Sequence, residues 1–319
     1  KMTRNEEKAS VLAEHLGIKN GIIVNSGTIA LLSALKVANI KSGDNVLING
    51  YCCYSLFEAI MNVGANPIFV IPKDFYNISV DEIRKVLNEN EIKCFIATHQ
   101  YGIVQDIKAI KEEFPELIII EDIAQAWNIQ ENELGIGKYS DYVVTSFGIS
   151  KALSYGQAGA IFSNKDIRQY FDFHDKESRN SLRFLLPYVL YDCDNVNTEQ
   201  LVATADNTVD KQRTIAKLLT EYFDNDEKYI IYKDKNSQLS SWHKFPVIIT
   251  NPNYINEFER IMQDNQILFQ WQNEKEVWEL DMVKSYNPKI IEFREKPIYA
   301  LIRTKQNDVE KVKSLVRSR

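Results

Sequence analysis

The chain has 319 residues, 45% of them hydrophobic and 26% charged, which supplies a large core and exceeds what one small domain needs. A net charge of -6 argues against nucleic acid or an anionic membrane surface as the main partner. No apolar stretch approaches the roughly 20 residues that cross a bilayer, and the first residues are charged rather than signal-like, so a cytoplasmic protein without a membrane partner is expected.

Thr3, Arg4, Asn5 and Glu6 fit a capping box, and Val11, Leu12, His15 and Leu16 then recur at helical spacing up to Gly17, so the chain opens on an amphipathic helix. From 22 to about 164, β-rich runs at 22–24, 46–48, 68–71, 95–98, 117–120, 142–145 and 160–162 alternate with helical stretches at 30–38, 55–63, 81–87 and 107–114. This alternation predicts an α/β fold with a mainly parallel seven-stranded sheet covered by helices on both faces. Residues 199–223 read as a linking helix. Strands at 229–232, 245–249 and 298–302 with helices at 255–262 and 309–316 then predict a small α+β domain, which divides the chain into 1–223 and 224–319.

Cys52, Cys53, Cys94 and Cys193 show no paired spacing and read as reduced thiols, adjacent Cys52 and Cys53 being poorly placed to bridge each other. His15, His99, His174 and His243 form no metal-ligand spacing, so no metal site is expected.

Two residues carry the chemistry. Asp122 closes the run that begins at 117, and Lys151 follows the run 142–145 through Ser146-Phe147-Gly148-Ile149-Ser150. Strands that end in polar residues bring an acid and a lysine to the carboxyl edge of one sheet, where open α/β folds bind ligands. An acid facing a lysine across a flat cofactor suggests pyridoxal phosphate. That cofactor needs a primary amine for its aldehyde and a carboxylate to keep its ring nitrogen protonated as an electron sink. The turn Asn25-Ser26-Gly27-Thr28, between a strand and a helix, offers backbone N–H groups and hydroxyls to a phosphate at the positive helix end. Ser26 serves equally as a plain helix cap and Gly27 as a turn residue. Ser146 is a second hydroxyl for the phosphate or an ordinary strand-end serine. Lys151 alone reads as a solvated lysine and Asp122 alone as a helix cap; their joint placement with Gln125, the phosphate-competent turn and the flexible segment 154–159 favours the functional reading.

Taken in order, these motifs resemble the DegT/DnrJ/StrS sugar-nucleotide aminotransferases, which have the aspartate aminotransferase fold, known as fold type I. The resemblance runs through Ser26-Gly27-Thr28-Ile29-Ala30-Leu31, Gly43-Asp44-Asn45-Val46, Gly64 to Val70, His99-Gln100-Tyr101-Gly102, Glu121 to Ala126, and Ser146 to Lys151, covering about the first half of the chain. It implies that Lys151 carries the Schiff base to pyridoxal 5'-phosphate and shuttles protons. It also implies that Asp122 pairs with the pyridine nitrogen, Gln125 meets the ring hydroxyl, and Gly27, Thr28 and Ser146, with Ser26 beside them, hold the phosphate. An aromatic residue of the family stacks on the ring from the segment that here reads Tyr51-Cys52-Cys53-Tyr54, with Cys53 at the matching position and Tyr51 or Tyr54 as substitutes. His99, Tyr101, Asn197 and Arg303 are the substrate candidates.

The chain departs from the family in two places. Gly156-Gln157-Ala158-Gly159 stands where the family has Gly-Glu-Gly-Gly, and Asp194 to Glu199 lacks the Arg and Met of the family's Asn-x-Arg-Met-Ser segment, which leaves Asn195 or Asn197 as the counterpart that reaches a partner subunit's phosphate site. The implied reaction moves an amino group from a donor such as glutamate to a keto sugar of a sugar nucleotide, in a homodimer with its active site at the subunit interface. A rival reading keeps the cofactor but acts on a free amino acid, with Arg303 clamping an α-carboxylate and Arg179 or Arg183 as further carboxylate or nucleotide contacts. Another is a non-catalytic cofactor-binding member of the fold, which the intact Lys151 disfavours. A dinucleotide-binding protein would want G-x-G-x-x-G after the first strand, which this turn lacks.

Overall fold

The computed structural model describes residues 4–74, 76–129, 135–171, 191, 195–233, 238–272 and 275–318. Helix α1 (Arg4–His15) packs on β1 (Asn20–Val24), and Asn5 ties the two together by exchanging hydrogen bonds with both the N–H and the carbonyl of Ile23, at 2.9 and 2.8 Å. Thr3 of the expected capping box lies outside the described residues.

The next elements are α2 (Gly27–Val37), β2 (Asn45–Asn49), α3 (Tyr54–Asn62), β3 (Asn66–Ile71), α4 (Val80–Glu89), β4 (Cys94–Thr98), α5 (Ile107–Glu113), β5 (Ile118–Asp122), β6 (Tyr142–Ser146) and β7 (Gly159–Ser163). The strands are short, rich in Val and Ile and buried almost throughout, as expected where helices cover both faces of a sheet. Several helix starts are written in the sequence. Ser79 and Glu82 close a capping box on α4, and Asp106 caps α5.

The remaining elements are α6 (Thr198–Phe223), β8 (Tyr229–Ile230), β9 (Phe245–Ile249), α7 (Ile255–Asp264), β10 (Phe269–Trp271), α8 (Asp281–Lys284), β11 (Lys289–Glu292), β12 (Tyr299–Ile302) and α9 (Val309–Arg317). The large sheet has the order β1-β7-β6-β5-β4-β2-β3-β11 and is parallel except for β7. Because β7 runs antiparallel to both neighbours, β1 points the same way as β6. The carboxyl ends of β1, β4, β5 and β6 therefore share one edge.

The sheet has eight strands where the sequence predicted seven. The eighth, β11, pairs in parallel with β3 from Lys289 opposite Ile68 to Glu292 opposite Ile71. A four-residue Lys-Ile-Ile-Glu run on an edge has neither the length nor the alternation that marks a strand in sequence. It comes from the far side of residue 224, so the C-terminal part of the chain completes the large sheet as well as forming its own. That second sheet is antiparallel, in the order β10-β12-β9-β8, over an aromatic core containing Phe223, Trp242, Phe245 and Phe258.

Cys52, Cys53 and Cys94 are thiols outside any disulfide, and Cys193 and His174 lie outside the described residues. Among the described residues no helix is long and apolar enough to cross a membrane, and no cluster of His, Cys, Asp and Glu fits a metal ion.

Candidate active site

The shared carboxyl edge forms a cavity of about 260 Å³. Asp122, the last residue of β5, enters it from the sheet, buried and with its carboxylate accepting the Ala124 N–H at 2.9 Å. Burial pushes the carboxyl above the ordinary aspartate range, while the Ala124 N–H and the charge of Lys151 pull it back. Lys151 lines the same cavity from the β6–β7 loop, its backbone fixed by an N–H bond to Gly148 at 2.9 Å.

The third wall is the start of α2. The Ser26 hydroxyl accepts the Ile29 N–H at 3.1 Å, so this side chain is committed as the helix cap. Gly27 and Thr28 complete the turn along the cavity wall. A Cβ on Gly27 would lie 2.7 Å from that of Ser146, so the missing side chain lets the helix start approach β6. A Cβ on Gly159 would come within 2.6 Å of the Ser26 and Thr145 carbonyls, which keeps β7 tight against the turn. Ser146 stands opposite, its hydroxyl accepting the Gly148 N–H at 3.3 Å.

Thr98, at the end of β4, also lines the cavity. Its hydroxyl is buried with no partner among the described residues, the state of a group that waits for a ligand atom. The sequence reading missed it; the available signal was its position as the last residue of a strand on the same edge. Gln125 accepts the Tyr101 N–H through Oε1 at 2.8 Å, which fixes the amide. Acid, amine, unpartnered hydroxyl and helix-end turn together fit a flat, phosphate-bearing aldehyde such as pyridoxal phosphate. They surround a slot closed by Leu31, Val144 and Ala124.

The other candidates are placed differently. Cys53 lines the cavity, but Tyr54 turns away and donates to the Met282 sulfur at 3.8 Å. Tyr51 packs edge-on against Tyr299 instead, so no aromatic ring lines the cavity among the described residues. His99 is fully buried behind the edge. Its Nδ1 accepts the Gln105 N–H at 3.0 Å, so Nε2 donates to Glu121 at 2.9 Å, and Glu121 also accepts from Gly137 and Ser140. That is a structural hub rather than a substrate contact. Tyr101 is buried with its hydroxyl 3.0 Å from that of Tyr299, which donates to Glu276. Asn197 caps α6 by accepting the Gln200 N–H. Arg303 is exposed just beyond β12. Arg179 and Arg183 lie outside the described residues.

The C-terminal part reaches the lysine loop through groups the sequence reading did not single out. Lys305 donates to the carbonyls of Lys151 at 2.7 Å and Ile149 at 3.0 Å. Burial and the charges of Lys151, Lys244 and Lys305 hold His243 well below the usual histidine range, so it is neutral at pH 7.

Ala158 has a φ of 100°, a conformation natural to glycine and strained for alanine. It follows Gly156 and Gln157 on the return from the lysine loop and bonds the Asn25 carbonyl through its N–H. Ala158→Gly is expected to stabilise the protein by about 1 kcal/mol, since relief of the strain outweighs the added freedom of the unfolded chain. Urea unfolding checks this; an unchanged or lower midpoint would show that the φ carries no cost.

A profile of the DegT/DnrJ/EryC1/StrS aminotransferase family matches residues 3–183. The GDP-perosamine synthase of Vibrio cholerae is 31% identical over 158 residues, which cover 49% of this chain and 43% of that protein. The UDP-N-acetyl-3-dehydro-alpha-D-glucosamine 3-aminotransferase of Acidithiobacillus ferrooxidans is 33% identical over 153 residues, 47% and 41% of the two chains. These matches span less than half the length of the two curated relatives. Among solved structures, a DegT DnrJ EryC1 StrS aminotransferase from Brucella abortus has a TM-score of 0.73 at 22% identity, over 98% of this chain and 89% of its own. PseC of Helicobacter pylori, an aminotransferase involved in the biosynthesis of pseudoaminic acid, has a TM-score of 0.74 at 17% identity, over 100% and 90%. With the family profile covering more than half of the sequence, the chain belongs to the DegT/DnrJ/EryC1/StrS aminotransferase family, whose members depend on pyridoxal phosphate.

Proposed function

We propose that this protein moves an amino group from an amino-acid donor, glutamate, to a keto sugar carried on a nucleotide, in amino-sugar biosynthesis. The observation that carries the reading is the convergence of Asp122, Lys151, the unpartnered Thr98 hydroxyl and the Gly27–Thr28 turn on one cavity. The Vibrio and Acidithiobacillus relatives, both named for nucleotide-linked sugars, support the substrate class.

When bound, pyridoxal phosphate supplies an aldehyde that reacts with amines and a ring that takes up an electron pair. The chain's own residues do the rest. Gly27, Thr28 and Ser146 bind the phosphate through N–H groups and hydroxyls at the positive end of α2. Asp122 holds a proton on the ring nitrogen, which favours its own carboxylate form. Gln125 and Thr98 orient the ring by hydrogen bonds. Lys151 Nζ would be the amine that holds the aldehyde and, when free, the base that moves a proton at the substrate carbon.

The reading includes a homodimer in the cytoplasm, with the site at the subunit interface. Ile149, which is 76% exposed next to the lysine loop, supports a covering partner there. Incubating the protein with pyridoxal phosphate and glutamate is expected to convert the cofactor to its amine form and release 2-oxoglutarate. A cofactor spectrum that ignores glutamate would reject this donor.

A further inference from the structure

We propose that Lys305 is a positioning residue for Lys151: its ammonium grips the backbone of the lysine loop from the C-terminal part of the chain and sets the direction in which the Lys151 side chain leaves that loop. The inference deepens the function proposed above and rests on it for the bond that Lys151 makes.

Lys305 Nζ donates to the Lys151 carbonyl at 2.7 Å and to the Ile149 carbonyl at 3.0 Å. The Lys151 N–H bonds the Gly148 carbonyl at 2.9 Å. The backbone of Lys151 is therefore held on both sides, its N–H from within the loop and its carbonyl from outside it. With both flanking peptide planes fixed, φ and ψ have little freedom left, and they decide where the side chain starts. The loop itself offers the lysine little support, since Ile149 and Ser150 before it and Tyr155, Gly156 and Gln157 after it are exposed. Among the described residues Lys305 makes no ion pair, so its charge is spent on two peptide carbonyls. Hydrogen bonds assisted by a charge are roughly twice as strong as neutral ones.

Lys305 stands on a fixed base between β12 and α9. Its own carbonyl accepts from Lys211 of α6 at 3.1 Å. On one side of it Thr304 is fully buried and donates to the His243 carbonyl at 2.9 Å. On the other, the buried Asn307 amide donates to the carbonyls of Leu268 and Arg303 at 2.9 and 3.0 Å. A stem rooted in this way holds the loop rather than following it. A displacement of about 1 Å at a reacting group costs on the order of 10²-fold in rate, so a grip on the lysine backbone is felt at Nζ. A contact that served stability alone would act on every ligand of the cavity, whereas one that aims Lys151 acts on the ligand that bonds to it.

The test compares two cofactor forms that differ in whether they can bond Lys151. Pyridoxal phosphate carries an aldehyde, whose carbon joins Nζ while its oxygen leaves as water; pyridoxamine phosphate carries an amine there and binds without that bond. Each is titrated by calorimetry into the cofactor-free full chain as wild type, Lys305→Met and Lys305→Arg. Lys305→Met keeps most of the stem and loses the ammonium. It is expected to weaken pyridoxal phosphate binding about tenfold and to leave pyridoxamine phosphate within about twofold of wild type. Lys305→Arg keeps donors for both carbonyls and should hold pyridoxal phosphate affinity within about threefold of wild type. Retained pyridoxamine phosphate binding also shows that the Lys305→Met site is folded. Equal weakening of both forms in Lys305→Met, or pyridoxal phosphate affinity unchanged in it, would overturn the positioning role. A wild type that binds neither form would reject the cofactor reading and the inference with it, a result distinct from a wild type that binds both beside an unaffected variant.

Discussion

Lys151→Ala is expected to lose the lysine-dependent visible absorbance with pyridoxal phosphate and to lower amino transfer by roughly 10⁴-fold or more, since one substitution removes both the nucleophile and the proton shuttle. Folding should change little. Lys151 is only half-buried and its side chain makes no ion pair among the described residues, so truncation is expected to cost within about 0.5 kcal/mol. Lys151→Arg separates the two roles of the side chain: it keeps the positive charge beside Asp122 but removes the nucleophilic amine. Its activity should match the alanine variant, measured as 2-oxoglutarate released from glutamate. An arginine variant with near wild-type turnover would mean that charge alone matters at 151.

Asp122→Asn is expected to move activity and stability in opposite directions. Asparagine keeps an oxygen for the Ala124 N–H but cannot hold a proton on the cofactor's ring nitrogen as an anion does. Transfer should fall by about 10²-fold or more, with weaker cofactor retention. Without cofactor, the variant should be the more stable protein. Burial raises the Asp122 carboxyl above its unfolded value of 3.8, so the folded state holds its proton more tightly than the unfolded chain. Stability is therefore lost as pH rises from the unfolded value through the folded one, and at pH 7 the full cost of a buried carboxylate is present. Removing the charge is expected to add about 1 kcal/mol at pH 7, and the gain should vanish below pH ~3.8. Denaturant melts of the cofactor-free proteins at pH 7 and at low pH check the sign. A less stable variant at pH 7 would show that the carboxylate is better compensated than its surroundings indicate.

Much of the large sheet was legible because its strands are buried on both faces and read as Val/Ile runs that punctuate helical periodicity. The linking helix and the strand at Phe245–Ile249 stood out for similar reasons. Two of the short strands were not legible. Strands β10 and β11 have three and four residues, and their partners lie far away in sequence, so no local pattern marks them. At the site, Asp122 and Lys151 were visible as polar residues that end apolar runs. Thr98 was equally well placed but chemically unremarked, because a threonine at a strand end gives no signal until its hydroxyl is found without a partner. His99 and Tyr101 show the converse. A motif shared with a family drew attention to them, whereas burial and hydrogen bonding give them structural tasks.

The central claim is that Lys151 is the amine that joins pyridoxal phosphate. Its most direct test is to incubate the protein with the cofactor, reduce with borohydride, digest, and map the modified peptide by mass spectrometry. The account predicts a phosphopyridoxyl group on Lys151 at near-stoichiometric yield, absent without cofactor. Label spread over surface lysines, or concentrated on Lys244 or Lys305 with Lys151 unmodified, would contradict it.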